Sequence, residues 1–105
     1  GNVVLRDRQH LAEDGIMIVV MSLDKATGEL VAGPDIVSRG FVYVRESDEL
    51  MDEARYTVDT AIQACLDRGI TDWGKLKATT KDVLGDYVWK KTKRRPMILP
   101  IIMEV

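Results

Sequence analysis

The sequence holds one cysteine and one histidine. One thiol cannot close an internal disulfide and suits a reducing compartment. One imidazole cannot supply the converging ligands of a zinc site. That scarcity also removes the Cys–His couple and the Ser–His–acid triad, and no glycine-rich phosphate loop takes their place. A surplus of either charge is missing too: 15 Lys and Arg stand against 17 Asp and Glu, a net of −2. Bulk attraction to nucleic acid or to an anionic membrane is therefore excluded, and any such contact has to be local. No apolar run approaches the roughly 20 residues that span a bilayer, and the amino terminus lacks the basic-then-apolar order of a signal peptide. The cytoplasm is the expected compartment. With Gly1 in first place and an apolar run at the end, the chain is expected to be a piece of a longer protein.

A chain of 105 residues suffices for one core, burying roughly 65% of the unfolded surface. Its organising stretch is the last ten residues, PMILPIIMEV, in which seven are large aliphatic residues or Met. A strand with one wet face alternates apolar and polar residues, and this one does not, so it reads as a strand covered on both faces. Pro100, which favours an edge or a bulge, conflicts with that reading. Residues 15–23, GIMIVVMSL, have the same doubly covered character. A helical pair can cover one face of such a sheet, and the other calls for a partner. That face is assigned to Ile16, Ile18, Val20, Ile98, Ile101 and Met103.

Residues 1–14 read as a lead-in, a short helix or an irregular segment that Asp14-Gly15 ends. His10 lies there among charged residues, as a solvated or capping side chain. After the first strand, DKATGE has the composition of a hairpin loop. A second strand follows from Glu29, and Gly33-Pro34 implies a bulge or an edge position within it. Ser38-Arg39-Gly40-Phe41-Val42-Tyr43 then combines a glycine kink with two rings on one side of an extended backbone. Arg39 is either a cation presented at that kink for phosphate or the partner of Asp35 or Glu46, and pairing is the favoured reading.

Ser47, with Asp48 and Glu49 behind it, opens a helix whose stripe Met51, Ala54, Val58, Ala61, Cys65 is widened by Leu50, Ile62 and Leu66. Cys65 is expected in the core. Gly69 ends this helix, with Ile70 packing back. Thr71 and Asp72 cap the next, and the link is so short that the two helices form an antiparallel hairpin. Trp73, Leu76, Thr80, Val83, Leu84, Tyr87 and Val88 share one side of the second helix. Trp89 falls on the far side, where it serves a partner or lies over its own helix. Lys90, Lys91, Lys93, Arg94 and Arg95 crowd the helix end before Pro96. They complement the helix dipole there, or they contact RNA phosphates with Trp89 available for stacking.

The fold class is thus α/β of the α+β kind: a two-layer sandwich in the order β-β-α-α-β, with three strands in one sheet and a helical hairpin on one face. The connection through two helices is long enough to make the last strand pair parallel. A hydrolytic acid pair would have to lie among Asp35, Glu46 and Asp48, and nothing singles it out. Neither a catalytic nor a metal site is assigned, and no cofactor is expected in this chain.

GNVVLRDR at the start, LAEDGI before the first strand, AGPDIVSRGFVYVRES in the middle and KTKRRPMILPIIMEV at the end resemble the carboxy-terminal domain of ribonuclease J, the metallo-β-lactamase/β-CASP ribonucleases. The resemblance covers essentially the whole chain, with 1–14 as the lead-in from a catalytic region and 15–105 as the domain. It implies a parent enzyme that degrades RNA with 5′-to-3′ exonuclease and endonuclease activities. Its divalent metal, zinc with manganese or magnesium as alternatives, would be bound in that preceding region, and none of the ligands maps onto this sequence. It implies a three-stranded sheet faced by two helices that serves self-association and full activity. The expected partners are a second copy in a homodimer or larger assembly, the catalytic region and, for the parent, RNA. No membrane partner is expected.

Overall fold

The computed structural model describes residues 14–41 and 47–105. The expectations for His10, Tyr43 and Glu46, and most of the lead-in, lie outside these. Strands β1 (Ile16–Leu23) and β2 (Leu30–Arg39) are followed by helices α1 (Ser47–Asp67) and α2 (Trp73–Thr92) and by strand β3 (Met97–Glu104). This is the expected β-β-α-α-β order. The sheet order is β2-β1-β3, with β1 antiparallel to β2 and parallel to β3. The last two strands are therefore not the expected parallel pair: β3 pairs with β1, because the two-helix connection carries the chain back across the sheet to the other side of β1.

The carboxy-terminal strand is an edge and not the central strand that its unbroken apolar run suggests. β1 holds the centre. Met97 N donates to Gly15 O and Val105 N donates to Leu23 O, each at 2.9 Å. Alternation along a strand then turns the amides of Ile98, Ile102 and Glu104 to the open edge. Pro100 has the same parity, so its missing N–H falls on the unpaired side, where it costs no ladder bond. β2 is the other edge. Gly33-Pro34, joined by a cis peptide, lies in the register shift between the Val20–Asp35 and Ser22–Ala32 pairs, which is the expected bulge.

The core lies between the sheet and the helical hairpin. Met17, Val19 and Met21 of β1 meet Ala54, Val58 and Ile62 of α1 and Leu76, Leu84 and Val88 of α2, all essentially inaccessible to water. Each large side chain so buried stabilises the fold by about 1.5–3 kcal/mol. Cys65 joins this core, its thiol 3.8 Å from the Thr79 hydroxyl. α1 ends as expected: Gly69 adopts φ +78°, and Gly69 N and Ile70 N donate to Leu66 O and Cys65 O. The Asp72 carboxylate caps α2 by accepting from Lys75 N at 3.2 Å. Trp73, in the first turn of α2, stands 38% exposed.

Candidate assembly surface and basic helix end

Strand alternation sends two sets of side chains from β1 in opposite directions. Met17, Val19 and Met21 go under the helices, and Ile16, Ile18 and Val20 go to the far face, where they are half-buried. Cross-strand register extends that far face in both directions. Ile16, Ile18 and Val20 stand beside Met97, Leu99 and Ile101 of β3 and beside Arg39, Val37 and Asp35 of β2. The outcome is an apolar sheet surface with Leu99 44%, Ile101 37%, Met103 46% and Val37 41% exposed. Five of the six residues assigned from sequence lie on it. Ile98 does not: it packs against the core from the helix side, with its Cδ1 close to Gly85. Leu99 occupies the outward position instead. Its shared parity with Ile101 and Met103 was the signal that could have found it. Val37 and Asp35 belong to the same face through their pairing with β1.

Arg39 closes one end of that face. It is exposed and donates from Nη1 to the Ser38 carbonyl at 2.9 Å, and among the described residues no ion pair joins it to Asp35.

The basic helix end is built differently. α2 terminates at Lys93, which takes the left-handed conformation at φ 58° and donates its N–H to Trp89 O at 2.8 Å. That cap folds the chain back over the last turn. Arg95 Cζ comes to 4.2 Å and Lys93 Nζ to 5.2 Å from the centre of the Trp89 ring. Trp89 is therefore half-buried beneath two cations of its own chain, an arrangement that favours the ring quadrupole. The other three cations reach carboxylates: Lys90 Nζ lies 2.9 Å from Asp86, Lys91 Nζ 3.7 Å from Glu53 and Arg94 Nη1 3.6 Å from Asp14. The Lys90 and Lys91 pairs are exposed and of small stabilising effect, whereas Asp14, facing Arg94, is only 18% exposed. Asp14 also accepts from Arg95 N at 2.8 Å, which ties the start of β1 to the start of β3. An open groove of about 480 Å³ runs between α2 and β3, with Lys81 and Arg95 at its rim and Gly85, Pro96 and Ile98 in its wall.

Among the described residues no three His, Cys, Asp or Glu side chains converge to hold a metal ion. No helix among them is long and apolar enough to cross a membrane.

The family profile of the ribonuclease J C-terminal domain matches residues 3–105. The chain belongs to this family. Ribonuclease J2 of Bacillus subtilis is 50% identical to it over 105 residues, and ribonuclease J 2 of Staphylococcus aureus strain NCTC 8325 is 48% identical over the same length. Each match takes in 100% of this chain and 19% of the relative, so the chain spans about a fifth of the proteins it matches. As a ribonuclease J C-terminal domain, it presents two surfaces of opposite character: an apolar sheet face and a helix end whose charges are largely met within the chain.

Proposed function

We propose that this domain is the non-catalytic assembly module of a ribonuclease J, and that it joins copies of the enzyme through the open face of its sheet. The observation that carries this reading is the outward row Leu99, Ile101 and Met103 beside Ile16, Ile18 and Val20 on a face that no helix of the described residues covers. Apolar patches of this kind mark interaction sites. The edge of β3 is a poorer joint, since Pro100 interrupts its open amides. On this reading the parent is a cytoplasmic, metal-dependent 5′-to-3′ exonuclease and endonuclease of RNA processing and decay. RNA and the divalent metal are handled in the preceding catalytic region, and this domain supports activity by holding that region in an oligomer.

Sedimentation across the micromolar range tests the proposal. The chain is expected to associate reversibly, and Leu99→Asp is expected to render it monomeric while its circular dichroism is unchanged. A monomer at every concentration would remove the assembly role. The alternative reading, an RNA-holding module at residues 90–95, has less support, because three of its five cations face carboxylates and the other two cover the Trp89 ring. It requires RNA affinity whose salt slope falls when Lys90, Lys91, Lys93, Arg94 and Arg95 are neutralised together.

A further inference from the structure

The open face carries two charges as well as its apolar rows, and their placement points to one arrangement of two copies. Asp35 and Arg39 project from β2 on either side of Val37, each two residues away, and they pair across the sheet with Val20 and Ile16. About 13 Å of strand separates them, too far for an ion pair within one chain. Neither takes part in an ion pair among the described residues.

We infer that two copies pack by their sheet faces about a two-fold axis that crosses the strands at the level of Val37, Ile18 and Leu99, so that Asp35 of each copy meets the partner's Arg39. This rests on the sheet-face reading above and adds its register. When two sheets pack face to face with their strands aligned, a two-fold axis between them runs nearly along the strands or nearly across them. An axis along β1 lays β2 over β3. Asp35 then faces Ile101 and Arg39 faces Met97, and two charges on each copy lose water without gaining a partner. An axis across the strands lays each strand over its own counterpart, reversed. Its level then decides the charges: centred on Asp35 or on Arg39 it brings like charges together, and centred on Val37 it makes two opposite-charge contacts at once. That level also sets Ile16 against Val20 and Leu99 against itself, so the centre is apolar and the ion pairs lie along one side. Opposed charges at such a margin select register more than they add affinity.

Charge reversal tests the register. Asp35→Arg and Arg39→Asp are each expected to weaken self-association by about tenfold or more, because two opposed pairs become two like-charged ones. An equimolar mixture of the two variants should associate as well as the unaltered chain. In the mixed dimer one margin contact joins the introduced Arg at 35 to the introduced Asp at 39, and the other joins the two native residues. The doubly reversed chain should recover alone. Sedimentation of one variant carrying a fluorescent label reads all of these. If Leu99→Asp abolishes association while the reversals have no effect, or their mixture does not recover, the register is overturned and the sheet-face reading survives. If Leu99→Asp has no effect, or the unaltered chain stays monomeric, both fall.

Discussion

The Tyr87 hydroxyl donates a hydrogen bond to Glu53 Oε2 at 2.5 Å, and Lys91 Nζ approaches the same oxygen at 3.7 Å, so one carboxylate of α1 gathers two groups from the last turns of α2. Tyr87→Phe keeps the ring and loses the bond. It is expected to cost about 1 kcal/mol, below the usual range for a hydrogen bond to a charged group because the site is half-exposed. A thermal melt measures it, and an unchanged midpoint would show that water replaces the bond fully.

The same contact makes stability depend on pH. Burial first, then the hydrogen bond to Glu53 and the charges of Glu53 and Glu49, hold the Tyr87 phenol above its ordinary value of 10.0. The folded state thus keeps a proton that the unfolded chain releases near pH 10. The stabilisation is complete below that pH and declines as the pH rises through and beyond it. Denaturant titrations from about pH 8 to about pH 11 should show the unaltered chain losing stability faster than Tyr87→Phe. Parallel curves would contradict this.

Gly15 adopts φ +78°, and a Cβ placed there would overlap backbone atoms of Arg39, Gly40 and Phe41. Gly15→Ala is expected to cost more than about 2 kcal/mol, since both the conformation and the space are unsuited to a side chain. At Gly69 a Cβ meets nothing within 4 Å, so Gly69→Ala bears only the left-handed backbone cost of about 1 kcal/mol. Equal losses at the two positions would refute the crowding argument.

Lys93 holds a left-handed cap at φ 58° that glycine adopts more readily. Lys93→Gly relieves about 1 kcal/mol of backbone cost and gives up a cation–π contact of about 0.5 kcal/mol. Lys93→Ala gives up the contact and relieves nothing. The expected order of melting temperatures is Gly above Lys above Ala, and an Ala variant at or above Gly would overturn it.

Neighbouring residues of β1 should respond differently. Met17 is fully buried beneath the helices, and Met17→Ala is expected to cost about 2–5 kcal/mol at any protein concentration. Ile18 lies on the open face, so Ile18→Ala should cost less in dilute solution and progressively more as concentration drives assembly. Concentration-independent losses at both positions would argue against the assembly role.

Much of the architecture was legible along the chain because it is set by local chemistry. Gly69, Asp72 and the Gly33-Pro34 bulge each act within a few residues of themselves, and each stands where the pattern of residue types places it. The apolar stripe of α1 marked its buried face for the same reason. Ile98 was misplaced because an apolar run gives both parities the same character, although grouping it with Ile101 and Met103 breaks strand alternation. Trp89 was left between two roles because the cations that cover it arrive by a reversal of the chain at Lys93, a left-handed residue that nothing in a lysine announces.

Residue order alone determined the elements, the caps at Gly69 and Asp72, the helical hairpin and the family to which the domain belongs, since those depend on neighbours in sequence or on long ordered identities. Tertiary structure decided that β1 and not β3 is central, that Leu99 faces outward, and that Asp35 and Arg39 share a face with Val37. These follow from which strands pair and in what register, and register is settled only when the core on one side of the sheet is packed.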